Sequence, residues 1–256
     1  MTDARDAHTA VTPLKGRRAI VTGGTTGIGR AIAVLLAREG ARVFICGRDE
    51  DHLADALARI REVGEGDGMT LDLAEEGAAE RFVAASAEAL GGFDIAVMNA
   101  AVAAEGLIDM AADAVRYAVA TDFTATVMGA HAAAARMVRD KGFAGDLVLI
   151  GSMSAHVLGP GSTVYAGIKA GIAGFAEALR REIGDKGVRV SLIEPGKTGS
   201  DMLEPDVSPD QQREEIRAET MLRAEDIAVG VHYLLTQPPR TVIQQLTIVP
   251  RAQDGE

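Results

Sequence analysis

Six short apolar runs alternating with segments of helical periodicity constrain this chain more than any other feature. The runs lie at 19–21, 42–46, 69–73, 95–98, 147–150 and 188–193, and helical patterns fill 30–39, 51–63, 75–90 and 110–139 between them. Each run is almost continuously apolar, as expected of a strand covered on both faces rather than one. Strands alternating with helices predict a doubly wound parallel sheet of the α/β class, flanked by helices on both faces. With 256 residues, 47% of them hydrophobic, one large core suffices, so residues 17–256 read as a single domain behind a polar arm at 1–16. The net charge of −11 argues against a nucleic-acid partner or an anionic membrane surface. Cys46 is the only cysteine, which excludes an intrachain disulfide. The opening residues carry acids and no apolar stretch, and no run approaches membrane-spanning length. A cytoplasmic protein is the expectation.

Ligands of such sheets bind beyond the carboxyl ends of the strands. Behind the first run stands Thr22-Gly23-Gly24-Thr25-Thr26-Gly27-Ile28-Gly29, followed at once by a helix that stops at Gly40. Strand, glycine-rich turn and helix in this order let a backbone approach a phosphate, which the free N–H groups and positive end of the helix then bind. The architecture expected is thus Rossmann-like. At the end of the second run, where an acidic residue would bind the ribose of NAD, the sequence reads Cys46-Gly47-Arg48-Asp49. Gly47 leaves that position uncharged and Arg48 is placed to grip a 2′-phosphate, so NADP is favoured over NAD, with Asp49 pulling the other way. Asp72 either bonds an adenine amine or caps a helix. Asn99 either binds cofactor or locks the turn after its strand.

Tyr165 and Lys169 stand four apart in a helical segment and so share a face. A lysine ammonium beside a phenol favours the phenolate, suiting it to proton transfer. Ser152, just past the fifth run, either orients a substrate oxygen or satisfies backbone groups. No metal-ligating cluster stands out.

Taken together, these motifs resemble the short-chain dehydrogenase/reductase family. The likeness runs from about Lys15 to Pro250 and rests on TGGTTGIG at 22–29, Asp72-Leu73, Asn99-Ala100-Ala101, Ser152 thirteen positions before Tyr165, Tyr-x-x-x-Lys at 165–169, and Pro195-Gly196. It implies an oxidoreductase moving a hydride between NADP or NAD and a small carbonyl or secondary alcohol. Tyr165 is then the acid/base, Lys169 makes its phenol more acidic and binds the nicotinamide ribose, and Ser152 orients the reacting C–O group. Gly23, Thr25, Thr26, Gly27, Ile28 and Gly29 cradle phosphates, Arg48, Asp72, Leu73, Asn99 and Ala100 line the cofactor, and Pro195, Gly196 and Thr198 border the nicotinamide. The resemblance also implies a homotetramer or dimer packed through the long fourth and fifth helices.

Three positions depart from the family pattern. Asp122 stands where an asparagine usually helps hold a water for the proton relay, and it adds charge near Lys169. Asn99-Ala100-Ala101-Val102 lacks the usual glycine of that turn. The C-terminus ends in Pro-Arg-x-Gln instead of a glycine-rich segment. On the substrate side, 200–221 reads as a lid, lined with help from His156, Val157, Leu158 and Met202, with His156 an ordinary loop residue. Two alternatives share these residues: an NAD-dependent alcohol dehydrogenase, and a cofactor-binding regulator whose Asp122 marks impaired catalysis.

Overall fold

A computed structural model of the chain describes residues 11–139, 145–158, 161–203 and 207–252. Seven strands form one parallel sheet: β1 (Arg18–Val21), β2 (Arg42–Gly47), β3 (Glu65–Thr70), β4 (Ile95–Met98), β5 (Gly145–Ile150), β6 (Val188–Pro195) and β7 (Gln245–Ile248), in the spatial order 3-2-1-4-5-6-7. The order turns back between β1 and β4, and this reversal opens a crevice at their carboxyl ends.

Successive side chains of a strand point to opposite faces. In β5, Leu147 and Leu149 face one helical layer while Val148 and Ile150 face the other, which is why the run is apolar throughout. The first layer holds α3 (Ala78–Leu90), α5 (Ala125–Arg139) and α6 (Thr163–Ile183), with Phe82, Met98 and Ile172 at its centre. The second holds α1 (Gly27–Arg38), α2 (Glu50–Val63) and α8 (Ala224–Leu235), packed through Ile32, Leu36, Ile60 and Val231. No described helix is long and apolar enough to cross a membrane.

Four details differ from the sequence reading. The third strand is Glu65–Thr70, not 69–73, so Asp72 lies beyond it rather than on it. Its glycines look like a loop, but Gly66 and Gly68 lie under α2, where an added Cβ would stand 2.4 Å from Ile60 and 3.0 Å from Leu53. The long helix expected at 110–139 is α4 (Ala112–Ala118), a π turn (Val119–Thr124) and α5. Pro195 closes β6, and the turn begins at Gly196, whose N–H donates to Ile248 at 2.7 Å. Of the arm expected at 1–16, the first ten residues lie outside the described residues. Beyond them the chain is docked: Thr12 bonds Thr236 and Gln237, and Leu14 is buried. Gln253 of the Pro-Arg-x-Gln ending also lies outside the described residues.

At the amino ends of the strands, opposite the crevice, Asp146 is held by Arg189 through bonds of 2.6 and 3.0 Å and by Arg17 at 2.7 Å. Arg189 also donates to the carbonyls of Leu235, Gln237, Pro238 and Thr241, tying β6 to the chain after α8. Removing one partner of a buried ion cluster strands the others. Asp146→Ala should therefore destabilise the fold by about 3–5 kcal/mol in urea denaturation, with cofactor affinity unchanged in the folded protein.

Candidate active site

The glycine turn is fixed by β4. Thr22 Oγ1 accepts from the N–H groups of Asn99 (2.9 Å) and Ala100 (3.1 Å), and the Asn99 side-chain amide donates to the carbonyls of Thr22 (3.0 Å) and Gly23 (3.1 Å). Of the two sequence readings of Asn99, the structure shows the turn lock. The lock demands glycine twice. Gly23 has φ +61° with Ala100 against it, and a Cβ on Gly29 would lie 2.0 Å from the Gly23 carbonyl oxygen. Thr26 precedes α1 without capping it by its side chain, and the first turn of α1 carries no acid. Its N–H groups thus face the crevice with nothing negative nearby in the turn, an arrangement that fits a dinucleotide's phosphates. Ile28 and Ala100 are half-buried beside it, whereas the Leu73 side chain sits in the core and leaves only backbone for a cofactor.

Gly47 has a steric reason to be glycine: an added Cβ would stand 2.3 Å from Thr25 Oγ1. An acid at the end of β2 therefore has no room. Asp49 caps α2, accepting from the His52 N–H at 2.8 Å. Arg48 is exposed and donates to the Tyr117 hydroxyl at 2.9 Å. Asp72 does not cap α3, whose cap is Gly77; it accepts from the Ala74 N–H at 2.9 Å and from the Tyr117 hydroxyl. Cys46 is fully buried, and burial pushes its thiol up to about 12, which removes it from chemistry.

At the other end of the crevice, Ser152 caps a short 3-10 turn (Met153–Ala155), its Oγ accepting from the Ser154 N–H at 3.1 Å. Of the two sequence readings of Ser152, the structure shows the backbone contact, and in making it the hydroxyl keeps its own proton free to donate. Lys169 is buried, with Nζ donating to the Ile150 carbonyl at 3.1 Å and lying 5.3 Å from the centroid of the Tyr165 ring. One bond therefore ties α6, which carries the half-buried Tyr165, to the end of β5, two residues before Ser152.

Asp122 lies in the π turn, fully buried. Its Oδ1 accepts from the Val102 N–H at 2.8 Å, supporting the glycine-free turn after β4, while Oδ2 and the neighbouring Thr121 hydroxyl are buried without a partner. Burial pushes the Asp122 carboxyl up to about 7, against the opposing pull of the Lys169 ammonium and the Val102 N–H.

Sequence reasoning missed two features. Glu194, fully buried at the end of β6, accepts from His156 Nε2 at 2.8 Å and from the Gln245 side chain, so His156 anchors the loop after Ser152. The sequence carries no signal for that pairing across 38 positions. Leu107 and Ile108 are exposed apolar side chains, Ile108 being 96% exposed. The Leu107 N–H donates to Thr163 Oγ1, two residues before Tyr165, and Leu158 and Met202 are exposed as well. The segment expected as a lid contains a 3-10 turn (Asp201–Leu203) and α7 (Pro209–Arg217), with 204–206 outside the described residues. Its root is fixed by a bridge between Thr198 and Leu222, and Thr198 Oγ1 donates to the Gly196 carbonyl.

A family model described as short chain dehydrogenase matches residues 17–211. This chain belongs to the short-chain dehydrogenase family. An L-rhamnose 1-dehydrogenase (NAD(P)(+)) of Azotobacter vinelandii is 32% identical over 234 residues, covering 87% of this chain and 91% of its own. Among solved structures, a short chain dehydrogenase from Burkholderia cenocepacia in complex with NADP superposes with a TM-score of 0.80 at 31% identity, covering 93% of this chain and 98% of its own. A dehydrogenase/reductase from Sinorhizobium meliloti gives 0.81 at 29% identity, covering 92% and 95%. As a short-chain dehydrogenase, the chain is an oxidoreductase that transfers hydride between a nicotinamide cofactor and a carbonyl or alcohol.

Because the folded Asp122 carboxyl sits above its unfolded value, the stability it contributes is full below about pH 4 and is lost as pH rises through about 7. Asp122→Asn removes this slope. The stability of the natural protein relative to Asp122→Asn should fall by on the order of 3 kcal/mol between pH 4 and pH 8. Urea denaturation of both at a series of pH values reads this directly, and a flat difference would place the titration elsewhere.

Proposed function

We propose that this short-chain dehydrogenase prefers NADP and interconverts a small, moderately apolar carbonyl and its secondary alcohol. The observation that carries the reading is the Lys169–Ile150 bond, which sets an ammonium under the Tyr165 ring at the end of β5, two residues before Ser152. A nicotinamide cofactor held in the crevice would supply the hydride chemistry, as donor in reduction and acceptor in oxidation. Tyr165 gives its hydroxyl proton to the carbonyl oxygen in reduction and removes it in oxidation. Ser152 donates a hydrogen bond to the same oxygen and fixes the face presented. Lys169 stabilises the phenolate left behind, and the unpartnered Asp122 Oδ2 offers a place for a water that returns the proton from solvent.

The turn from Thr22 to Gly29 and the amino end of α1 would hold the pyrophosphate, and Pro195, Gly196 and Thr198 would border the nicotinamide. Preference for NADP is supported by the missing room for an acid at Gly47, by Asp49 being spent on α2, and by Arg48. The NADP in the Burkholderia structure agrees with this, while the NAD(P)(+) in the name of the Azotobacter enzyme covers both cofactors. The exposed apolar side chains of Leu107, Ile108, Leu158 and Met202 support an apolar substrate, with 200–221 as the lid that carries Met202. A homotetramer or dimer packed through α5 and α6, and a cytoplasmic setting, complete the reading.

Titration with NADPH and NADH, followed by a panel of carbonyls, tests it. NADPH should bind more tightly than NADH, and the reverse would leave the chemistry but overturn the cofactor preference. Cofactor binding without turnover across the panel would favour a regulator. Tyr165→Phe should lower kcat by about 100-fold or more while leaving the Kd for NADPH within about twofold; retained turnover would remove Tyr165 from proton transfer.

A further inference from the structure

We infer that Tyr117 is a specificity-determining residue: its hydroxyl presets Arg48 for the 2′-phosphate of NADP. The inference rests on the NADP reading above and deepens it. Tyr117 belongs to α4, yet its hydroxyl meets groups from the ends of two different strands. Arg48, following β2, donates to it from Nη1 at 2.9 Å, and Asp72, following β3, lies at 3.1 and 3.2 Å.

The direction of this chain follows from the groups alone. A guanidinium has no lone pair to offer and an ionised carboxylate no proton, so the hydroxyl accepts from Arg48 and gives its single proton to Asp72. Bonds aligned in this way polarise one another. The ring contributes too, because the Arg48 guanidinium carbon lies 5.9 Å from its centroid.

An exposed arginine on a flexible stem loses rotamer freedom when it grips a phosphate. Here Tyr117 has already taken part of that freedom away. It uses one nitrogen, Nη1, and leaves Nε and Nη2 to face an anion. The neighbouring positions offer no competing acid toward the ribose, since Gly47 abuts Thr25 and Asp49 caps α2. Tyr117 thus acts through Arg48 and is a positioning residue. Its effect should appear in the preference between cofactors, because only NADP carries the 2′-phosphate, whereas any effect through Asp72 reaches both cofactors alike.

The test is a double-mutant cycle on cofactor binding, which needs no substrate. The natural protein, Tyr117→Phe, Arg48→Ala and the double variant are titrated with NADPH and with NADH by fluorescence or calorimetry. Tyr117→Phe keeps the ring and deletes only the hydroxyl, and circular dichroism of each variant controls for folding. The ratio of NADH to NADPH dissociation constants should fall by about 3- to 10-fold in Tyr117→Phe, and Tyr117→Phe should change it no further once Arg48 is alanine. Equal weakening of both cofactors, an unchanged ratio, or independent effects in the double variant would each overturn the role of Tyr117 while leaving the NADP reading standing. A natural protein that prefers NADH or binds neither cofactor would overturn that reading, and the role of Tyr117 with it.

Discussion

The hydrogen bonds joining Thr22 and Gly23 to Asn99 and Ala100 are the constraint on which the crevice depends. At the reversal of strand order, β1 and β4 send their chains in opposite directions, and backbone groups past their ends would otherwise be left to water. The Asn99 amide and the Thr22 hydroxyl satisfy them from within. That leaves the amino end of α1 uncommitted, and with it the capacity to bind an anion. Gly23 and Gly29 are consequences of the lock as much as of any ligand, because both fail sterically before a cofactor is considered.

Buried charge is concentrated at the two ends of the sheet and does different work at each. At the amino ends, Asp146 is paired through both its oxygens with Arg17 and Arg189 and ties distant segments together, while Arg17 Nη1 is buried without a partner. At the carboxyl ends, Lys169, Asp122 and Glu194 are also buried, but Lys169 is satisfied by a carbonyl and Asp122 by one of its two oxygens. An incompletely satisfied buried carboxylate raises the energy of the fold and holds a titratable proton close to neutral pH. Such residues are tolerated where chemistry uses them.

Much of this was legible in the sequence. The strands of the sheet interior are readable because burial on both faces forces continuous apolar runs, and the glycine turn, Ser152, Tyr165 and Lys169 declare themselves by order and spacing. β3 was not legible, because its inward positions are Gly66 and Gly68, made small by the helix lying across them. Periodicity cannot register a residue whose role is to have no side chain. Arg48 and Asp72 were visible singly, but no local pattern points to Tyr117, which joins them. Glu194 and His156 escaped for the same reason: contacts between remote positions leave no local pattern.

The π turn between α4 and α5 accommodates an additional residue relative to a regular helix. Each residue of an α-helix turns the chain by roughly 100°, so that one extra position resets the azimuth of everything on one side of it relative to the other. Tyr117 stands just before this offset and Asp122 within it, one facing the ends of β2 and β3, the other the interior beside Val102. A single helical rod can therefore serve both ends of the crevice at once. It works as a phase shifter, and the bulge is the component that sets the phase.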